Sequence, residues 1–157
     1  MMEIQTVKET IETVVCEVLE QMAFMFPEPA GGADEIAWDE FEFVAASVSF
    51  SGDCEGESLM IAPMPFCVEL SANMLGEEID PANPKEKHCD ALKEVLNIVT
   101  GQLLTQCFSD KAIFNLSAPR AESVSVAKVR ELAGKSDSSC SMVDSYPIVS
   151  RFTVKGS

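Results

Sequence analysis

Apolar residues recur at three- and four-residue steps from about Glu3 to Phe24, at Ile4, Val7, Ile11, Val14, Val15, Val18 and Met22. Charged residues fall between them, the period of an amphipathic helix. Pro27, Pro29, Gly31 and Gly32 then break the chain. From about Glu40 to Phe50 the period drops to two: Val44, Ala46, Val48 and Phe50 share one face of a strand. Phe41 and Phe43 fall on the other parity, which predicts a bulge or a strand start near Val44. Ser51-Gly52-Asp53 is turn chemistry, and Ser58 to Pro63 supplies the second strand of a hairpin. A short helix from about Pro65 to Leu75 aligns Phe66, Leu70 and Met74, with Gly76 as its stop. Glu77 to Asn83, acidic and broken by Pro81, reads as a loop.

The next helix carries the clearest start signal. Asn83 is placed to cap, Pro84 to take the first helical position, and Glu86 lies three residues past the cap. The helix should run to about Phe108, roughly 24 residues or 36 Å at about 1.5 Å per residue. Lys111 to Ala118 alternates well enough for a strand that Pro119 ends. Glu122 to Gly134 fits either a short helix or an irregular connection. From Ser139 to Lys155 the even positions Cys140, Met142, Tyr146, Ile148, Phe152 and Val154 are apolar, giving one long strand or a hairpin. Pro147 is then confined to an edge or a break. The order predicts one domain over residues 1–157, an α/β (α+β) sandwich whose largely antiparallel sheet packs against long helices.

Along the long helix, Leu92, Val95, Leu96, Val99 and Leu103 lie on one side and should pack into the core. The opposite side carries Asp90, Glu94, Asn97 and Gly101, all within about 20–40° of one line. Glu94 and Asn97 are three apart, so their Cβ atoms should sit about 5–6 Å from each other. A carboxylate and a carboxamide therefore project together, with Gly101 a turn beyond. Glycine inside a helix costs up to about 1 kcal/mol relative to alanine, and close approach of another backbone is one reason to keep it. Residue types alone also fit the solvated side of any amphipathic helix.

Composition mainly excludes. Acids number 26 against 11 bases, a net charge of −15 that repels nucleic acid and anionic lipid and favours a cationic partner. No apolar run approaches the roughly 18 residues needed to span a bilayer, and the first residues are neither basic nor continuously apolar. A cytoplasmic protein is expected, with no membrane contact. Cys16, Cys54, Cys67, Cys89, Cys107 and Cys140 are scattered without a C-x-x-C pair or a Cys–His cluster, so neither a disulfide framework nor a metal site is expected. No phosphate-cradling G-x-x-x-x-G-K-[ST] loop is present. A nucleophilic triad would need the only histidine, His88, which is expected as a solvated surface residue.

Asp90-x-x-x-Glu94-x-x-Asn97, with Pro119 22 positions after the asparagine, resembles the signature of the CheC/CheX/FliY chemotaxis phosphatases. The spacing to the proline is one residue shorter than the usual pattern. The resemblance covers essentially the whole chain and implies a CheC-like fold. Members of the CheC and FliY type carry the motif on two helices. The first asparagine of this chain is Asn73, so the first helix holds no second copy, and a CheX-like member forming a homodimer is implied.

The implied activity is hydrolysis of the aspartyl phosphate on a CheY-like response-regulator receiver domain. Glu94 and Asn97 would be catalytic, and Asp90 and Gly101 would bind the partner. No cofactor is expected in this chain; Mg²⁺ would sit on the receiver. Asp90 is also where a negative charge favours a helix N-terminus. A non-catalytic module that docks a receiver or a flagellar switch component would use the same face, and turnover separates the two.

Overall fold

The computed structural model describes residues 4–108 and 111–155, the side chains of Ile4 and Gln5 excepted. The expected first-helix start at Glu3 lies outside the described residues. Helix α1 runs Ile4–Ala23 and turns Ile11, Val14, Val15, Val18 and Leu19 fully inward. The proline-rich break is not wholly irregular: β1 (Glu28–Pro29) pairs with a late strand, and two short 3-10 turns follow at Ala33–Glu35 and Trp38–Glu40.

Strand β2 (Phe43–Gly52) and β3 (Gly56–Pro63) form the expected hairpin, in unbroken register from Phe43↔Pro63 to Phe50↔Gly56. The parity change at Phe43 is thus a strand start and not a bulge. Phe43 is buried on the opposite face of the sheet, against Trp38. Helix α2 (Met64–Leu75) ends at Gly76, whose φ of 66° is the left-handed stop that glycine adopts without a Cβ penalty.

Helix α3 spans Lys85–Cys107. Its start is one residue later than expected. Pro84 is the flanking cap residue, with φ −56° and ψ 141°, and no side chain caps the helix. Two ion pairs hold this end instead, Lys85–Glu42 at 3.1 Å and Lys87–Glu77 at 2.8 Å. His88 is buried, not solvated, with 2% exposure. It lies on the inward line that continues through Leu92 and Val95, so helical period outweighed the polarity of its neighbours. Neither ring nitrogen has a hydrogen-bond partner among the described residues.

After α3 the expected strand is present but shorter, and a second short strand follows it beyond Pro119. β4 (Phe114–Leu116) pairs with the end of β2, and β5 (Arg120–Val124) with its beginning. β4 stops before Pro119, as expected, and the edge resumes after it. Across the gap the Ser117 N–H donates to the Ser49 carbonyl, and the Ser49 N–H donates to Ser117 Oγ, both at 2.9 Å. The ambiguous stretch becomes β5 followed by α4 (Val126–Ala133), capped by Ser125 Oγ accepting from the Lys128 N–H at 3.2 Å. β6 (Ser139–Val143) and β7 (Tyr146–Val154) then form a tight hairpin.

This hairpin corrects the even-position face. Cys140 pairs with Val149 and Val143 with Tyr146, so parity inverts at the turn. Cys140 lies with Val149 on one face, while Tyr146, Ile148 and Phe152 lie on the other. Pro147 sits in β7 beyond its last pair with β3, Ile61↔Val149, where no ladder hydrogen bond is required of it on that side.

The sheet order is β1-β6-β7-β3-β2, with β4 and β5 sharing the far edge of β2, and every pairing is antiparallel. α1, α2 and α3 cover one face, where Val44, Ala46, Val48 and Phe50 meet Leu92, Val95, Leu96 and Val99. The opposite face carries a smaller core of Phe43, Ile61 and Val149 against Trp38 and the Val129 and Leu132 side chains of α4. The α+β sandwich is as expected, with a second covered face that periodicity left open.

Candidate functional site

Helix α3 positions the candidate residues because its other side is fixed. Leu92, Val95, Leu96, Val99 and Leu103 are each at most 2% exposed. Burial of that many aliphatic side chains, each contributing about 1.5–3 kcal/mol, fixes the helix rotation. The outward line then reads Asp90, Glu94, Asn97, Gly101 and Thr105. Glu94 is exposed and Asn97 half-buried. Neither side chain makes a hydrogen bond or ion pair with any described residue. One turn separates a free carboxylate from a free carboxamide, so an incoming group meets an anion and a neutral donor–acceptor side by side.

Asp90 differs from both. Its carboxylate meets Lys93 Nζ at 3.0 Å, one turn along, with side-chain exposures of 67% for the acid and 30% for the base. Sequence reasoning weighed Asp90 as a docking charge or a helix-end charge and overlooked this neighbour, although the three-residue spacing is visible. At such exposure the pair contributes at most about 1 kcal/mol and can be exchanged for another partner.

Gly101 leaves space. A Cβ built there meets nothing within 4 Å, so no described element requires the glycine. Ile98, Gln102, Thr105 and Gln106 surround it in an open depression of about 410 Å³. Thr105 Oγ1 donates to the Gly101 carbonyl at 3.1 Å, which keeps the hydroxyl down on the helix. A second depression, about 360 Å³, lies beside Asp90 between α3 and β5, lined among others by Cys89, Lys93, Glu122 and Ser123. Glu94 and Asn97 therefore stand on a ridge with a hollow towards each end. The β5 wall was invisible in the sequence because β5 itself was.

No group of three or more His, Cys, Asp or Glu among the described residues is placed to hold a metal ion. Nor, among them, is any helix long and apolar enough to cross a membrane. The described face can supply charge, hydrogen bonds and shape to a partner.

The family model described as "Chemotaxis phosphatase CheX" matches residues 44–142, more than half of the chain, from β2 to β6 and including all of α3. No curated protein matches. Solved structures share the fold at low identity. A chemotaxis protein CheX from Desulfovibrio desulfuricans aligns with TM-score 0.64 and 17% identity, over 96% of this chain and 99% of that one. CheX in the CheX–CheY–BeF3–Mg²⁺ complex from Borrelia burgdorferi aligns with TM-score 0.61 and 18% identity, over 93% and 96% of the two chains. A chemotaxis protein CheX from Vibrio vulnificus gives TM-score 0.61 and 19% identity, over 92% and 95%.

Proposed function

The chain belongs to the chemotaxis phosphatase CheX family, and from that premise we propose that Glu94 and Asn97 of α3 accelerate hydrolysis of the aspartyl phosphate on a CheY-like receiver domain. The observation that carries this reading is the unpartnered Glu94–Asn97 pair on the outward ridge of α3. A CheX relative is solved together with CheY, BeF3 and Mg²⁺, which supports a receiver as the partner.

Phosphoryl transfer to water passes through a loose transition state, so catalysis is mainly positioning and electrostatics. A carboxamide has no useful basicity at neutral pH. Asn97 therefore acts by hydrogen bonding, holding the attacking water in line with the scissile P–O bond, as a glutamine does in GTPases. Glu94, by the family resemblance, pairs with the lysine of the receiver's active site. That contact anchors α3 and brings Asn97 into the acyl-phosphate pocket. Mg²⁺ held by the receiver neutralises charge on the phosphoryl oxygens.

Asp90 contributes to docking by trading its exposed pairing with Lys93 for a contact across the interface. Gly101 lets the receiver's backbone approach the helix. The chain works as a homodimer with one site per protomer, in the cytoplasm with its receiver. The test is phosphate release from phosphorylated receivers with and without this protein. Acceleration that disappears in Asn97→Ala is expected. Receiver binding without any acceleration by the wild-type chain would replace catalysis with simple docking.

A further inference from the structure

Two aromatic rings stand in solvent where the chain leaves α1. Phe24 is 78% exposed and Phe26 61%, while Met25 between them is buried. The segment is tied down on every side. The Met25 N–H donates to the Leu19 carbonyl at 3.2 Å, and the Asn73 carboxamide donates to the Ala23 carbonyl at 2.9 Å. Just beyond, Glu28 and Pro29 pair with Met142 and Ser141 on β6.

Phe24 also holds φ at 55°, a left-handed backbone that strains a bulky residue and that glycine adopts freely. A helix stop needs only glycine there. The phenylalanine adds strain and apolar exposure, and its ring gains almost no packing inside the chain in return. Leu75 (56% exposed) and Ile79 (53%) follow the Asn73 contact, so they lie at the same end of the helical layer.

Along the sequence, the charge of the stretch that carries the rings is one-sided. Of the 26 acids, 17 lie between Lys8 and Lys85, and that stretch holds no Lys, Arg or His. Glu20 and Glu28, exposed on either side of the rings, belong to it. The bases that open α3, Lys85 and Lys87, are already engaged by Glu42 and Glu77.

We propose that Phe24 and Phe26, with Glu20 and Glu28 beside them, form a docking site for a positively charged segment of a partner protein that also carries apolar side chains. Exposed aromatic faces in a negative field attract Arg and Lys both by charge and by cation–π stacking. Rigidly held aromatics lose little freedom on binding, which is why they dominate interface energetics. A second copy of this chain would bring the same acids to the contact, and anionic lipid would be repelled. The site lies on α1 and the link to β1 and draws no residue from α3.

The probe is a fluorescent synthetic amphipathic peptide of leucine and lysine, with a leucine–glutamate peptide as its charge-reversed control, titrated against the full chain. Saturable binding of the lysine peptide alone is expected, tightening as salt is lowered. Phe24→Gly with Phe26→Ser should weaken it by about tenfold or more, with thermal stability unchanged or raised because the left-handed strain is relieved. A structural role for the rings would instead lower stability. Glu20→Lys keeps both rings and should also weaken binding severalfold. Equal binding of the two peptides, no saturable binding, or affinity unaffected by either variant overturns the proposal. Ring-dependent sedimentation with phosphatidylglycerol vesicles would overturn it in favour of a membrane. A ring-dependent doubling of mass would do so in favour of a second copy.

Discussion

At the scale of single residues, Glu94 and Asn97 are chemically unlike neighbours that should fail in different ways. An orienting amide acts mainly in the transition state, so Asn97→Ala should abolish accelerated dephosphorylation while leaving fold and receiver binding nearly intact. Phosphate release within twofold of wild type in this variant would remove Asn97 from the mechanism. Glu94→Ala should weaken the complex and slow turnover together. Across a closed, partly desolvated contact, truncating one member of a hydrogen-bonded ion pair costs about 2–5 kcal/mol, against about 1 kcal/mol or less for an exposed pair. A double-mutant cycle against the receiver's lysine measures which regime holds. Coupling below about 0.5 kcal/mol would leave Glu94 as one more charge on a solvated helix. The motif itself was legible because a three-residue helical spacing is a local property. The Asp90–Lys93 pair at 3.0 Å has the same spacing and was legible too, although only the structure drew notice to it.

At the scale of elements, α3 is both a core helix and a ridge, and Gly101 separates the two roles. A Cβ there meets nothing within 4 Å, so the fold accepts a side chain. Gly101→Leu should therefore raise the denaturation midpoint, by up to about 1 kcal/mol of helix propensity. It should at the same time impair receiver docking, because leucine fills the depression. Calorimetry showing unchanged binding beside higher stability would confine Gly101 to the helix. Elements whose partners are near in sequence, such as the β2–β3 hairpin and α2, matched expectation closely. β5 did not. Arg120–Val124 is mostly exposed and weakly apolar, and it is a strand because β2 offers it an edge from Phe43 to Ser47. His88 erred the other way: its polarity suggested solvent, while its place on the Leu92–Val95 line put it at 2% exposure.

At the scale of the whole molecule, the resolved thiol shifts share one direction. Burial pushes the Cys67 thiol from its usual 9.0 up to about 12, and Cys89, Cys107 and Cys140 are also raised, first by burial. Below pH 9 these thiols are neutral in both folded and unfolded chains, so they add no pH dependence. Between about 9 and 12 the unfolded chain ionises Cys67 and the folded chain does not, which draws the equilibrium towards unfolding. Chemical denaturation should thus give flat thiol-linked stability from neutral pH to about 9 and a decline above it. Cys67→Ala should be less stable at neutral pH, through lost packing, yet decline less steeply. An identical alkaline slope in that variant would show that other groups carry the effect. The proposed homodimer is tested by sedimentation equilibrium, where a mass near twice 17.0 kDa is expected and a monomer at micromolar concentration would overturn it.

What the sequence determined by itself is what short-range period can encode: the inward and outward lines of α3, the alternation in β2, the glycine stop after α2, and the Asp90–Glu94–Asn97 spacing. Each depends on residues within a turn or a hairpin of one another. Tertiary structure alone decided that the sheet is covered on both faces, that the edge on β2 resumes beyond Pro119, and that Cys140 and Ile148 part company across the β6–β7 turn. Those outcomes depend on which distant segment supplies the pairing edge or the covering helix, and no local period records the identity of a partner far along the chain.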